Sequence, residues 1–213
     1  MLICLDAGHS INGAVGSRGQ GHKEEVETRR IVAFLERKFK ALGHDVHICS
    51  IDNESNANTQ LKRIIAKENS VKADLFISIH LNAYKDGLAN GVETYSYFNH
   101  GTGHDYAVKV QNELIKLGYT NRGKKQANFY VLRCSKAPAI LVECGFITSS
   151  KDMQIYNPEK IADKIVYAIT GKESNKESTI YRVVAGSYSN RENAERMRDE
   201  LKQKGIDAFL TVK

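Results

Sequence analysis

Three side chains suited to metal or proton chemistry stand where predicted strands end. His9 follows the first apolar run of the chain, His80 closes the third run and Glu143 closes a later one. In open α/β sheets, ligand sites form outside the carboxyl ends of the strands. We therefore expect these side chains to converge on one crevice, although they lie far apart in the sequence.

Glu24 joins this set because of its place on a predicted helix. The apolar side of that helix is formed by Ile31, Phe34, Leu35, Phe39 and Leu42. At about 100° per residue this side extends back to Glu24 and Thr28, and a carboxylate that faces the core is costly unless it is paired or bound to a metal. Glu25 lies off that side, four residues before Arg29, and is predicted to form a solvated ion pair with it.

Two imidazoles and one carboxylate form a typical catalytic zinc site, in which the fourth tetrahedral position is left for water. Zinc lowers the pKa of that water and polarises a carbonyl, and a second carboxylate can carry the proton. His9, Glu24 and His80 are thus predicted to bind zinc, and Glu143 to act as the catalytic acid and base. Taken singly, each residue is more often a loop, hydrogen-bonded or ion-paired residue, but their joint placement favours the zinc site.

The other histidines give weaker signals. His44 and His47 are three residues apart in a predicted strand and so point to opposite faces. His22, His100 and His104 fall in loops or at a helix start. No partner carboxylate is predicted for any of them.

The chain alternates short apolar strands with longer amphipathic helices. Strands are predicted at 2–6, 44–50, 73–79, 92–98, 129–134 and 139–143, with 92–98 at an edge of the sheet. Helices are predicted at 24–42, 57–69, 105–117 and 158–170. This alternation indicates an α/β fold, a mainly parallel sheet covered by helices on both faces. The predicted domain spans residues 1–170.

Length and composition are those of a globular protein. The 213 residues are 41% hydrophobic, with 31 Lys and Arg against 25 Asp and Glu and a formal net charge of +6. These values exclude a disordered, collagen-like or coiled-coil chain, and no apolar run reaches the roughly 18 residues that could span a bilayer. The four cysteines lack metal-ligand spacing and are predicted to be reduced core residues. The positive charge suits an anionic polymer without selecting one.

The composition changes after residue 170. The polar stretch 171–178 is predicted to be a flexible linker. Beyond it, residues 179–213 are predicted to form a β-α-β unit with strands at 180–185 and 206–212 and a helix at 191–204. Such a unit is too small to bury a stable core alone, so we expect it to pair with a second copy, to dock on the large domain or to order on its ligand.

Segments around the candidate residues carry a family resemblance. They are Glu24 and the stretches Leu5–Ser10 (LDAGHS), Ala73–Ala83 (ADLFISIHLNA), Asn121–Arg133 (NRGKKQANFYVLR) and Pro138–Phe146 (PAILVECGF). In order and spacing these segments resemble the zinc-dependent N-acetylmuramoyl-L-alanine amidases of the amidase-3 type, over about residues 1–170. The family often has Gly-His-Gly-Gly where this chain has Gly-His-Ser-Ile at 8–11, a difference that keeps the histidine and alters the loop after it.

The resemblance implies a zinc ion held by His9, Glu24 and His80, with Glu143 as the catalytic carboxylate. Because Glu24 is followed by a second glutamate, the ligand assignment is open by one residue, and the helical face favours Glu24. The implied reaction is hydrolysis, by zinc-activated water, of the amide between the lactyl group of N-acetylmuramic acid and L-alanine of the peptidoglycan stem peptide.

We expect Asn82 and Arg133, together with Lys136, to line the substrate groove. Two alternatives remain open, a non-catalytic peptidoglycan-binding protein on the same scaffold and a zinc carboxypeptidase that trims stem peptides. The complete set of site residues argues against the first. Nucleic-acid binding has no aromatic or glycine-rich signature to support it.

The tail carries a second resemblance. Its segments Tyr181–Tyr188, Asn193–Met197 and Lys204–Ala208 resemble one half of a sporulation-related repeat (SPOR) module, which implies peptidoglycan binding and a homodimer that combines two halves. No signal peptide is predicted at the start of the chain. An amidase of this composition resembles a phage endolysin or a mother-cell lytic amidase. We therefore expect synthesis in the cytoplasm, no membrane insertion, and action on the cell wall after release.

Overall fold

The protein forms two compact units, Met1–Asn175 and Lys176–Lys213. The computed structural model describes residues 1–85, 87–173, 186–206, 208 and 210. The boundary between the units falls inside the predicted linker 171–178, of which residues 174–178 lie outside the described residues.

The first unit is built on a six-stranded sheet. Its strands are β1 (Leu2–Ala7), β4 (Asp45–Ile48), β5 (Leu75–Asn82), β6 (Val92–Ser96), β7 (Asn121–Gln126) and β8 (Ala139–Phe146), while β2 (Arg18–Gly19) and β3 (His22–Lys23) form a separate hairpin. The order across the sheet is β4-β1-β5-β8-β6-β7. Every neighbouring pair is parallel except β6 with β8, which is antiparallel. The predicted mainly parallel sheet is therefore confirmed.

Helices cover both faces of the sheet, as predicted. They are α1 (Glu24–Ala41), α2 (Ala57–Asn69), α3 (Gly101–Leu114, extended by a 3₁₀ turn), α4 (Tyr130–Cys134), α5 (Ser150–Ile155) and α6 (Pro158–Thr170). Buried residues of α1, α3 and α6 form one apolar cluster with the sheet, and those of α2 and α4 form a second cluster on the opposite face. The central strands β1, β5 and β8 are apolar on both faces where they begin, as is typical of strands covered on both sides.

Two helices have the predicted boundaries because their ends carry strong local signals. The Asn56 side chain accepts a hydrogen bond from the Thr59 backbone N–H at the start of α2, and Asn157 caps α6 in the same way. Pro158 occupies the first turn of α6, where its missing N–H leaves no hydrogen bond unmade. Gly171 ends that helix with a φ of 68°, a conformation that glycine adopts without strain.

Two expectations about the strands are wrong, and one strand was not predicted. The segment 92–98 is not at an edge, because β6 lies between β8 and β7. The segment 129–134, predicted to be a strand from its aromatic and β-branched residues, contains the short helix α4, whose Val131 and Leu132 pack into the second apolar cluster. The edge strand β7 was not predicted, because its sequence NRGKKQ has no apolar alternation.

The cysteines are free, as predicted. Cys4, Cys49 and Cys144 are buried and Cys134 is half-buried. Three of them therefore behave as small core side chains, which is common for cysteine.

The second unit contains the helix α7 (Arg191–Gln203), which is capped by Asn190. The predicted strand 180–185 lies outside the described residues. Of the predicted strand 206–212, only residues 206, 208 and 210 are described, and none of these is in a strand. Among the helices described in either unit, none has the length and apolar character needed to cross a membrane.

Candidate metal centre and active site

The candidate site lies on the sheet face that carries α2 and α4. This face is apolar where β1, β5 and β8 begin. Because side chains alternate along a strand, the same face continues towards the carboxyl ends of these strands with polar side chains, which are Asp6, Ser78, His80 and Glu143, and with Glu93 on the neighbouring β6. A polar cleft therefore follows directly on an apolar core.

The three predicted metal ligands meet at this cleft. Glu24 Oε1 lies 3.1 Å from His9 Nε2 and 3.2 Å from His80 Nδ1. One ligand atom from each side chain lies within 4.8 Å of the other two. In a tetrahedral zinc site with bonds of about 2.0–2.1 Å, neighbouring ligand atoms are about 3.3 Å apart. The distances to Glu24 therefore match the spacing that a small tetrahedral cation requires.

Two backbone donors hold the Glu24 carboxylate between the imidazoles. Oε1 accepts a hydrogen bond from the Leu81 N–H at 3.1 Å, and Oε2 accepts one from the Ser17 N–H at 2.9 Å. Burial favours the neutral acid, but hydrogen bonds and charges of His80 and His9 hold the pKa of Glu24 well below its usual range. The chain thus presents an ionised carboxylate to any cation at this point.

Glu25 is not the solvated partner of Arg29 that the helical pattern predicted. It is buried, and its carboxylate accepts two hydrogen bonds from Arg18, at 2.6 and 2.7 Å. Arg29 instead contacts Asp52 and backbone carbonyls. The expectation failed because the loop before α1 folds back over the first helical turn and covers the side that periodicity alone would leave in water. Only Glu24 lies in the three-residue cluster.

Close backbone approaches shape the metal centre. A Cβ atom at Gly8 would lie 2.2 Å from His80 Cε1, and one at Gly16 would lie 2.6 Å from Glu24 Oε2. His9 has a φ of 66°, in the left-handed region that residues other than glycine seldom adopt. The positions of these side chains are therefore set by the local backbone as well as by their mutual contacts.

Replacing Gly16 with alanine should weaken zinc binding about 10- to 100-fold, the usual effect of disturbing groups that orient metal ligands. The added methyl group would collide with both the Glu24 carboxylate and the His9 ring. Competition with a chelator of known affinity measures the zinc Kd. Ser17→Ala is the matched control, because Ser17 contacts Glu24 through its backbone N–H and carbonyl, which alanine keeps. Equal zinc affinity of Gly16→Ala and the unchanged protein would contradict this ligand geometry.

Glu143 lies next to His80, with which it pairs in register across two parallel strands. The sequence predicted that the strand ends at Glu143, whereas β8 continues to Phe146. Its Oε2 atom is buried and accepts no hydrogen bond from the described residues. Burial, together with the charges of Glu24 and Glu93, raises the pKa of Glu143 to about 8, against the opposing effect of His80. A carboxyl group in this state can exchange a proton near neutral pH.

Comparison with known proteins decides the family. The family described as N-acetylmuramoyl-L-alanine amidase matches residues 3–172. The chain belongs to this amidase family.

Relatives and solved structures of the amidase family cover most of this chain. The N-acetylmuramoyl-L-alanine amidase LytC of Bacillus subtilis (strain 168) is 34% identical over 170 residues, which are 78% of this chain and 34% of LytC. The sporulation-specific N-acetylmuramoyl-L-alanine amidase of the same organism is 28% identical over an alignment of 221 residues, covering 99% of this chain and 84% of that protein. The catalytic domain of the CD27L endolysin targeting Clostridia Difficile has a TM-score of 0.74 at 30% identity, with 82% of this chain and 99% of that chain covered. The fold is thus that of an amidase catalytic domain.

The tail also matches a known domain. A SPOR domain matches residues 159–211, which confirms the resemblance of the tail. The match begins within α6 of the first unit and includes α7 of the second.

The structure brings Asn82 to the amidase cleft. β5 continues past His80 and ends at Asn82. The Asn82 Nδ2 atom donates a hydrogen bond to Glu93 Oε1 at 2.8 Å. The side chain is therefore fixed close to both His80 and Glu143, where a substrate contact remains a prediction.

The structure places Arg133 away from the metal centre. Arg133 is on α4, donates a hydrogen bond to Asn128 at 2.7 Å, and lines a cavity together with Lys136 and Ala139. Ala139 begins β8, four residues before Glu143, which is about 13 Å of extended strand. A contact of Arg133 with the substrate remains a prediction, and it would lie far from the reacting amide.

The cleft also contains a buried carboxylate, Glu93, that the sequence pattern did not predict. The Glu93 side chain is 3% exposed. It accepts hydrogen bonds from Asn82 Nδ2 at 2.8 Å, Tyr95 Oη at 2.6 Å, Arg122 Nε at 2.8 Å and Lys125 Nζ at 2.5 Å. We refer to these five residues as the Glu93 cluster. Assigning 92–98 to an edge hid the signal, since a glutamate in the middle of an interior strand would have indicated a buried polar network.

His22 has a carboxylate partner that was not predicted. Its Nδ1 atom lies 2.8 Å from Glu27 Oε1, and the Tyr156 hydroxyl donates to Glu27 Oε2 at 3.1 Å. These contacts tie the β2–β3 hairpin to α1. The hairpin and the loop before it are thereby held against the helix that carries Glu24.

Proposed function

We propose that this chain hydrolyses peptidoglycan at the amide between the lactyl group of N-acetylmuramic acid and L-alanine of the stem peptide. The observation that carries this proposal is the cluster of His9, Glu24 and His80 at tetrahedral spacing beside the buried Oε2 atom of Glu143, which has no hydrogen-bond partner among the described residues. Membership of the amidase family gives the substrate class. LytC is about three times as long as the part matched here, so the reaction and the substrate of this chain remain proposals to be tested.

The donor set fits zinc. Two imidazole nitrogens and one carboxylate oxygen are ligands that zinc prefers, and three protein ligands leave one tetrahedral position open. The low pKa of Glu24 keeps that ligand in the charged form that metal binding requires. When bound by His9, Glu24 and His80, zinc would polarise the scissile carbonyl and lower the pKa of a water molecule.

Glu143 carries the proton in the proposed reaction. Its Oε2 atom has no hydrogen-bond donor among the described residues, so it is available to accept a proton from the attacking water. The water oxygen adds to the lactyl carbonyl carbon, the carbon–nitrogen bond breaks, and Glu143 returns the proton to the leaving nitrogen. The products are a muramoyl carboxylate and a peptide with a free L-alanine amine. A carboxyl group with a pKa of about 8 is well matched to both transfers near neutral pH.

Digestion of purified peptidoglycan, with and without a chelator, tests the proposed function. Mass analysis should show free stem peptides that begin with L-alanine, intact glycan strands, and loss of all release after chelation. Release of single terminal amino acids would identify a carboxypeptidase instead. Binding to the wall without any product would identify a recognition protein and overturn the catalytic proposal.

We also propose that the second unit binds peptidoglycan and that two chains combine their tails. The SPOR match to residues 159–211 supports the binding, and the small size of the predicted unit favours pairing. Sedimentation of the full chain, alone and with glycan strands freed of peptide, should show a dimer. A monomer under both conditions would contradict the pairing.

The relatives include a sporulation-specific amidase and an endolysin. We therefore propose that this protein acts on the cell wall and that its biological role is cell lysis.

A further inference from the structure

The Glu93 cluster lies directly beside the proposed catalytic residues. His80 pairs in register with Glu143 across β5 and β8, and Glu143 pairs with Glu93 across β8 and β6. Arg122, on the next strand β7, donates to Glu93. A row of four side chains therefore crosses four adjacent strands, from the metal centre to the edge of the sheet. Since neighbouring strands are about 4.8 Å apart, β7 is about 10 Å from β8.

A β-bulge turns two cations of β7 towards Glu93. The register shifts from Val92 opposite Asn121 to Thr94 opposite Lys124, so β7 has one residue more than β6 in this interval. Gly123 lies at this point with a φ of 85°. Because an extra residue changes which face the following side chains take, Arg122 and Lys125 both reach the same carboxylate although they are three positions apart.

The Glu93 cluster carries a net positive charge, because two cations contact one carboxylate. Burial opposes ionisation, but Lys125, Tyr95 and Arg122 hold the pKa of Glu93 below its usual range, so the carboxylate carries one negative charge. Arg122 and Lys125 bring two positive charges to it. Their side chains are 34% and 39% exposed, whereas that of Glu93 is 3% exposed. The surplus positive charge therefore faces the open side of the cluster.

Arg122 is held in a geometry that suits a second anion. Its Nε atom donates to Glu93 at 2.8 Å, and its guanidinium carbon lies 4.8 Å from the centre of the Phe146 ring. In the described part of the chain no acceptor contacts its two terminal nitrogens. A guanidinium fixed at Nε with both terminal nitrogens free can bind a carboxylate through two parallel hydrogen bonds. Little side-chain entropy is then lost on binding.

We propose that Arg122, with Lys125 beside it, binds a carboxylate carried by the second residue of the substrate's peptide. This inference rests on the proposed function, because it takes the scissile amide to lie over His80 and Glu143. An extended peptide advances about 3.3–3.6 Å per residue, so a carboxylate on the second residue lies about 7–10 Å from the scissile nitrogen. That reach matches the distance of about 10 Å across the two strand spacings from β8 to β7. Glu93 acts as a positioning residue that orients the cations.

A pair of substrates that differ only at this carboxylate tests the proposal. They are N-acetylmuramoyl-L-alanyl-γ-D-glutamyl-L-lysine, in which the α-carboxylate of the second residue is free, and the same compound with that α-carboxylate converted to a carboxamide; in both, the γ-carboxyl group is used in the bond to lysine. We expect the zinc-loaded protein to have a kcat/KM about 10- to 100-fold higher for the carboxylate, the usual range for a charge-assisted hydrogen-bonded pair. Arg122→Gln should lose this preference by slowing the carboxylate substrate alone. Arg122→Lys should keep part of this preference, because lysine keeps the positive charge but cannot donate the two parallel hydrogen bonds of a guanidinium.

Lys124→Gln is the matched control. It removes the same charge from the same strand, but Lys124 Nζ contacts Asn99 and the Phe98 carbonyl and not Glu93. The control should keep the full preference for the carboxylate. The proposal would be overturned if Lys124→Gln lost as much of the kcat/KM preference for the carboxylate as Arg122→Gln does. A general effect of charge would then explain both losses.

A binding measurement separates the subsite from the chemistry. Calorimetry on zinc-loaded Glu143→Ala should show tighter binding of the carboxylate compound by a similar factor, and Glu143→Ala/Arg122→Gln should not. Equal affinity of the two compounds for Glu143→Ala, or equal kcat/KM values in the unchanged protein, would overturn the carboxylate subsite and leave the proposed function standing. Failure of the unchanged protein to cleave either compound or peptidoglycan would overturn the proposed function itself.

Discussion

Replacing Glu143 with alanine is expected to remove nearly all turnover while leaving the zinc content and the fold unchanged. Loss of a positioned acid and base lowers rates by about 100- to 10,000-fold. Glu143 is outside the metal cluster and makes no hydrogen bond through its buried Oε2 atom, so its removal should not release the metal. Release of stem peptides measures turnover, elemental analysis measures zinc, and circular dichroism reports the fold.

Two further variants sharpen this prediction. Glu143→Gln keeps the size of the side chain and removes its proton chemistry, so it should be nearly as inactive as Glu143→Ala. Glu36→Gln makes the same chemical change on the outside of α1, where Glu36 pairs only with Lys40 among the described residues, and it should keep normal activity. Normal turnover of Glu143→Ala would refute the assigned role.

Replacing His80 with alanine is expected to abolish both zinc binding and activity. His80 supplies one of the three ligand atoms of the cluster, and its Nδ1 atom lies 3.2 Å from Glu24. With two ligands left, a tetrahedral site cannot hold zinc at the affinity of a three-ligand site. Elemental analysis after dialysis should show a protein without zinc, and added zinc should not restore hydrolysis of peptidoglycan.

His100→Ala is the control for the loss of an imidazole. His100 is exposed and stacks on Phe98, with ring centroids 5.4 Å apart, and it is not part of the metal cluster. This variant should keep both zinc and activity. Stoichiometric zinc in purified His80→Ala would show that His80 is not a ligand.

The parts of the fold that the sequence predicted are those with strong local signals. The boundaries of α2 and α6 were predicted correctly because asparagine caps, a proline and a glycine mark their ends. The continuous apolar runs of β1, β5 and β8 likewise predicted buried, parallel strands. The segment of α4 failed because its aromatic and β-branched residues favour a strand, whereas packing against the second apolar cluster selects a single helical turn.

The candidate site was predictable where topology alone brings residues together. His9 and His80 follow from strand ends at one edge of a parallel sheet, and Glu24 follows from a helical face. Helical periodicity did not predict the position of Glu25, because the burial of Glu25 depends on a loop that folds back over α1. Glu93 was not predicted either, since its partners Arg122 and Lys125 come from a strand with no apolar pattern and meet it only through a bulge.

The bulge at Gly123 separates two kinds of evolutionary constraint in this sheet. His80 and Glu143 lie on strands with a neighbour on each side, where a gained or lost residue would shift the register of the whole core. Arg122 and Lys125 lie on β7, which stands last in the strand order and has one neighbour among the described strands. There a single insertion or deletion would turn one cation out of the cleft and leave the interior strands in place. Selection for a different wall chemistry could therefore act on β7 alone, without altering the residues proposed to break the bond.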